Sequence, residues 1–307
     1  MRVVASLTTM PDRYFKINRT LESLHRQTYK LDAIYLSLPF RSRRLDIDYP
    51  PVPSEISDLC TIVRCIDYGP ITKILGGLLQ EEDPSTVIIT FDDDMIYAEN
   101  TVETLVNHHR KYPDSALGSS GMLLKYSCPM CAITPNEDNF LYRIPKFQVP
   151  PEGRRVDSIY GYPGALYVRK FFPSNDMLET QFLNYALIDH NMLMNDDIVI
   201  SGYLSLCDIE RRIFPNMPVV SFVLDDGIRV RNSNEISYDL DKFFQRMNLA
   251  IVSAKSIGMY STTEPVDMSE TIIGVSAIVV LSILVIILLF IYVIKSPTPP
   301  LLNFMIL

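Results

Sequence analysis

Three consecutive carboxylates, Asp92, Asp93 and Asp94, follow directly on the apolar run Val87-Ile88-Ile89-Thr90-Phe91. Side chains alternate along a strand, so at the end of this one Asp92 and Asp94 leave on one side and Asp93 on the other. Two hard oxygen donors on one face suit Mg²⁺ or Mn²⁺ shared with substrate phosphates, which makes Asp92 and Asp94 candidate metal ligands. The plainer reading is an acidic turn or a helix cap, and an Asp-x-Asp in a chain with 36 acidic residues is common. Its position at the end of a buried strand raises it above that background.

The elements that would hold these residues alternate short β-rich runs with helical patterns, as a layered α/β fold with a mixed, mainly parallel sheet does. Arg2 to Leu7 reads as a strand, Tyr14 to Arg26 as a helix and Ala33 to Leu38 as a strand. Thr61 to Ile66 gives a third strand, Ile71 to Gln80 a helix, and Thr86 to Phe91 the strand that runs into the acidic triplet. A helix over Asn100 to Lys111 opens on a capping-box pattern of Asn100 and Glu103. From Ala116 to Phe172 the pattern turns to strands and loops rich in Tyr, Pro and Gly, including Leu141 to Lys146 and Ala165 to Arg169. Asp196 to Leu206 is helical, Val219 to Leu224 a strand, and Tyr238 to Ile257 helical. In open α/β sheets ligands collect beyond the carboxyl ends of the strands, where the triplet sits.

In the order of its motifs the chain resembles the glycosyltransferases of the GT-A fold. Ser6-Leu7-Thr8-Thr9-Met10-Pro11-Asp12-Arg13, Ser23-Leu24-His25-Arg26-Gln27-Thr28 and Ile34-Tyr35-Leu36 look like the opening of family-2-like transferases, similar to small enzymes of bacteria and of large algal DNA viruses. Asp67-Tyr68-Gly69-Pro70-Ile71-Thr72-Lys73 looks like a second donor loop, and Asp92 to Tyr97 like the motif that holds a divalent metal and the diphosphate of a nucleotide sugar. The resemblance implies a donor site of Thr8, Thr9, Arg13, Asp67, Lys73, Asp92 and Asp93, with UDP the expected nucleotide. Asp196-Asp197 resembles the acidic pair where inverting transferases carry the base that takes the acceptor proton. Asp197 is the first choice for that role and Asp196 the second, since helical geometry aims only one of them at a cleft. Tyr160 and Tyr162 could stack on acceptor sugars, and Gly161 and Gly164 would allow close backbone approach. Many GT-A enzymes complete the metal site with a His downstream of the base, whereas His25, His108, His109 and His190 all precede Asp197. Arg229 or Arg231 could help neutralise the leaving diphosphate.

Composition sets the frame. At 307 residues and 48% apolar, the chain accommodates a large globular domain plus an appendage. A net charge of −8 and no long Lys/Arg block argue against nucleic acid as partner. Thr271 to Ile294 contains no charge and is rich in Ile, Val and Leu, long enough to cross a hydrocarbon core of about 30 Å. The expected organisation is a transferase domain over 1–257, with a nucleotide-sugar half (1–115) and an acceptor half (116–257). A linker (258–270), a transmembrane helix (271–294) and a short tail (295–307) follow. Val3 to Ala5 is too short for a secretory apolar region, so a single-pass tail anchor with a cytosolic catalytic domain is expected, in a host or virion membrane if the source is viral. Five cysteines without a dense framework fit a reducing compartment, and Cys128-Pro-Met-Cys131 reads as structural. Asn18-Arg19-Thr20 is a glycosylation pattern that matters only in a lumenal domain.

The expected activity is transfer of a sugar from a nucleoside diphosphate to a hydroxyl of a glycan, lipid-linked or protein acceptor, with inversion and with Mn²⁺ or Mg²⁺. Two alternatives stand beside it: nucleotidyl transfer on a similar fold, and a membrane-tethered binder without catalysis.

Overall fold

The computed structural model describes residues 1–124, 141–162, 164–216, 218, 221–222, 224–225, 228–229 and 240–260. The apolar runs form the centre of an eight-stranded mixed sheet. Its strands are β1 (Val3–Thr8), β2 (Ala33–Pro39), β3 (Thr61–Cys65), β4 (Val87–Phe91), β5 (Ser115–Gly118), β10 (Ala165–Val168), and two nearer one edge, β8 (Arg154–Arg155) and β11 (Glu210–Ile213). Their order is β8-β11-β5-β10-β4-β1-β2-β3. A smaller antiparallel sheet joins β6 (Gly121–Leu124), β7 (Leu141–Arg143) and β9 (Ser158–Ile159). β1 and β4 are buried along both faces, as near-continuous apolar strands covered by helices must be.

Two pairings create the site. β1 runs parallel to β4 with Leu7 opposite Phe91, which brings Thr8 and Thr9 alongside the acidic triplet. β10 runs antiparallel to β4 with Ala165 opposite Thr90, so the loop that precedes it, containing Gly161 and Gly164, arrives at the same end. The main helices are α1 (Asn18–His25), α2 (Leu75–Gln80), α3 (Thr101–His109), α4 (Asp196–Leu206) and α5 (Leu240–Ser256).

Several local expectations change. The first helical pattern divides into a 3-10 turn, Tyr14–Lys16, and α1, and the second into a 3-10 turn, Ile71–Ile74, and α2. The capping box does not form, since Asn100 makes no side-chain cap and Glu103 instead accepts a hydrogen bond from the Thr28 hydroxyl at 2.8 Å. The strand expected over Val219 to Leu224 is represented by the two-residue strands Ser221–Phe222 and Leu224–Asp225. Thr20 is fully buried and its hydroxyl is engaged by backbone carbonyls, so the Asn18 pattern is closed to a glycosylating enzyme.

The membrane helix is corrected. Among the described residues no helix is long and apolar enough to cross a membrane. The longest of them, α5, has 17 residues and carries Lys242, Arg246 and Lys255. The run 271–294 lies outside the described residues, as do Cys128 and Cys131. The observed fold is thus an α/β one with a mixed central sheet, and the C-terminal anchor, the tail-anchored localisation and the membrane as partner are not carried forward.

Candidate functional site

Beyond the carboxyl ends of β1 to β4 lies a cavity of about 420 Å³. One wall is built by the loops after the strands: Thr8, Thr9, Met10 and Arg13 follow β1, while Arg43, Arg44 and Tyr49 come from a hairpin after β2. Asp67, Gly69, Pro70 and Lys73 follow β3, and Asp92, Asp93 and Asp94 follow β4. The opposite wall is His190, Leu193, Met194, Asn195 and Asp196, with Arg246 from α5.

The acidic triplet is held by both backbone and side chains. The Thr20 hydroxyl lies 2.8 Å from the carbonyl of Asp93 and 2.9 Å from that of Met95. The backbone N–H of Asp92 donates to the Tyr97 hydroxyl oxygen at 2.8 Å, and that hydroxyl donates to the carbonyl of Tyr162 at 3.1 Å. Burial first, and then the Asp92 charge, push the Tyr97 phenol well above its usual range, so it serves as a neutral donor. The Asp93 carboxylate accepts from the Thr9 hydroxyl at 2.5 Å and from Arg13 at 3.0 Å, and Arg13 also reaches Asp94 at 3.4 Å. Burial works against the Arg13 charge, but Asp93 and Asp94 outweigh it and raise its pKa.

Lys73 connects the two acidic motifs. Its ammonium is 2.5 Å from Asp92 Oδ1 and 2.8 Å from Asp196 Oδ2, with the residue only 6% exposed. Burial disfavours the charge, yet Asp196 and Asp92 overcompensate and lift the pKa well above the ordinary lysine value. Ser6 donates to the Lys73 carbonyl at 2.6 Å and fixes the turn that carries it. Asp196 lines the cavity, whereas Asp197 turns inward and accepts from the Gly161 N–H at 2.9 Å. Asp197 keeps some accessible surface. Even so, desolvation and the neighbouring Asp196 charge raise its pKa well above the usual carboxylate range. A Cβ on Gly161 would stand 3.1 Å from Asp197 Oδ1 and 3.5 Å from Lys73 Nζ. The loop can rest on the charge cluster because residue 161 has no side chain.

Asp67 shapes its own loop. Its carboxylate accepts from the N–H groups of Arg43 and Gly69, both at 2.7 Å. Gly69 has φ +73°, and a Cβ there would lie 2.3 Å from the Leu193 carbonyl, so the two walls touch through bare backbone. Thr8 donates to the carbonyl of Ser37 at 2.8 Å.

Of the residues named from sequence, Thr8, Thr9, Arg13, Asp67, Lys73, Asp92, Asp93, Asp94 and Asp196 line one cavity, and Asp197, Tyr160, Tyr162 and Gly164 do not. Tyr160 is buried, with its ring centroid 6.4 Å from that of Tyr162. Arg143 lies over the Tyr160 ring and donates to the Tyr162 hydroxyl at 3.0 Å. Gly164, at φ +95°, packs against Phe91. Arg231 falls outside the described residues, and Arg229 is described only as part of the strand Ile228–Arg229. Arg43, Arg44, His190, Asn195 and Arg246 escaped the sequence reading; the run Arg41-Ser42-Arg43-Arg44 was an available signal, and nothing local marked Arg246.

A divalent ion is compatible with this donor set. Asp92, Asp93, Asp94 and Asp196 all line the cavity, with Lys73 between Asp92 and Asp196 and Arg13 against Asp93 and Asp94. Among the described residues no three His, Cys, Asp or Glu side chains converge on one point. Asp92 and Asp94 would therefore share an ion with substrate oxygens and water.

No protein-family model matches the chain, and no curated protein matches it in sequence. Among solved structures, that of GalNAc-T7 with UDP, GalNAc and Mn²⁺ is similar, with a TM-score of 0.50 and 14% identity over 83% of this chain and 50% of that one. The chain spans about half the length of that protein. The narrower likeness to small bacterial and algal-virus enzymes has no support among these matches. The shared architecture is the GT-A fold.

Proposed function

We propose that this protein transfers a sugar from a nucleoside diphosphate, with UDP the expected nucleotide, to an acceptor hydroxyl with inversion. The observation that carries the reading is Lys73. Its single ammonium ties Asp92, on the donor side, to Asp196, on the opposite wall of the same cavity. Thr8, Thr9, Arg13 and the Asp67 loop would receive the nucleotide, and Asp92 and Asp94 would hold Mn²⁺ or Mg²⁺. Such an ion, when bound, offsets the negative charge of the diphosphate.

Asp196, rather than Asp197, is the proposed base. Its position on the cavity wall supports this, whereas Asp197 does not line the cavity and accepts from the Gly161 N–H. In the reaction the acceptor O–H bond breaks, its proton passes to Asp196 and its oxygen bonds to the anomeric carbon. The bond from that carbon to the diphosphate breaks, and the electron pair leaves with the nucleoside diphosphate. Tyr160, Tyr162 and Gly164 would stand toward the acceptor, with the Gly161 backbone resting on the cluster that contains the base.

The test is binding and hydrolysis of UDP-, GDP- and dTDP-sugars by the full chain with Mn²⁺, Mg²⁺ or EDTA. Metal-dependent release of one nucleoside diphosphate is expected. Release of pyrophosphate would instead indicate nucleotidyl transfer, and binding without turnover an inert binder.

A further inference from the structure

Five cationic side chains line the cavity: Arg13, Arg43, Arg44, Lys73 and Arg246. Arg13 and Lys73 are engaged by the acidic triplet and Asp196. Arg43 is fastened to Asp67 through its backbone N–H and its Nε, and Arg44 has a partner of its own. Arg246 is the exception: half-buried in the cavity wall, it has no hydrogen bond or ion pair among the described residues. Drawing a guanidinium into a cleft without a carboxylate forfeits hydration, and a bound anion restores the loss.

The position of Arg246 indicates which anion. α5 packs on the short helix His190–Leu193, with Ser253 donating to Asp189. Arg246 therefore belongs to the wall that leads through Leu193, Met194 and Asn195 to Asp196, opposite the loops after β1 to β3. A group bound on this wall lies on the side of the base. Leu193 and Met194 add apolar surface for the face of a sugar ring. Resting on the transferase reading above, we propose that the acceptor carries an anionic substituent, a carboxylate or phosphate, which Arg246 grips through its planar fork.

The donor diphosphate is the competing source of negative charge, and the experiment separates the two. Calorimetry of UDP with Mn²⁺ is run on the full chain and on Arg246→Gln and Arg246→Lys, with melting curves to confirm folding. Transfer is then compared between p-nitrophenyl β-glucuronide and p-nitrophenyl β-glucoside, and between glucose 6-phosphate and glucose. Where neither member of a pair is glycosylated, both are read as competitors of donor hydrolysis. The wild type is expected to favour the charged member by about tenfold or more. Arg246→Gln should erase that preference through KM, Arg246→Lys should keep part of it, and UDP affinity should stay within about twofold in both. Equal treatment of charged and neutral probes by the wild type overturns the proposal. So does a loss of UDP affinity of about tenfold in Arg246→Gln, which would assign the residue to the donor. If the wild type binds no nucleotide, the transferase reading itself fails, and that result is distinct from both.

Discussion

Asp196 and Asp197 stand side by side in the first turn of α4 yet meet different surroundings. Asp196 shares Lys73 with Asp92, while Asp197 has a backbone N–H and a like charge beside it. Asp196→Asn is expected to lower kcat by about 10²- to 10⁴-fold with UDP affinity largely kept, as removal of a general base does. Asp197→Asn should cost much less activity, because residue 197 does not line the cavity and an amide oxygen can still accept from the Gly161 N–H; steady-state rates on the two variants decide it. Stability gives a second check. A folded pKa above the unfolded value means that the native state binds the extra proton. The stabilisation is thus complete below the unfolded value and is lost as pH rises through the native one. Melting temperatures from about pH 5 to 9 should fall more steeply for wild type than for Asp197→Asn.

Among the elements, the contact between the Asp67 loop and the segment before Asp196 sets the cleft. Gly69→Ala would place a methyl carbon against the Leu193 carbonyl and force an L-residue into positive φ. The left-handed conformation costs about 1–2 kcal/mol and the overlap about 1–3 more. A melt should show this loss of stability together with weakened nucleotide binding. Away from the cleft, Glu81 accepts from Arg2 and Tyr35 and ties β1 and β2 to the end of α2. Glu81→Gln should lose about 1–2 kcal/mol by denaturant titration, a modest figure because Arg2 is largely exposed.

These elements also mark how far the sequence could be read. The strand-helix alternation through β4 was legible because each step has its own periodicity and ends on a turn. β11 was not: Glu-Arg-Arg-Ile looks like a solvated charged run, but Arg211 is buried inside the sheet and the strand pairs with β5. The acidic triplet could be found from one strand and three letters. The proposed preference for Asp196 over Asp197 rests on the tertiary position of Gly161, and the proposed role of Arg246 on the packing of α5 on His190–Leu193, neither of which has a local signature.

For the molecule as a whole, carboxylates gathered around one cavity repel one another, and a divalent ion bound there would relieve that repulsion. Mn²⁺ at about a hundred times its Kd should stabilise the native state by about 2.7 kcal/mol, seen as a melting shift that EDTA reverses. Asp94→Ala should abolish most of that shift while leaving the metal-free melt little changed.

The enclosure of Lys73 has a consequence for chemical footprinting. An amine reacts with acylating reagents only as the free base, and this ammonium is both covered and pinned in its charged form by two carboxylates. Acetic anhydride should therefore modify the exposed lysines and pass over residue 73, so that a label appearing there in a peptide map marks the moment at which the two walls separate.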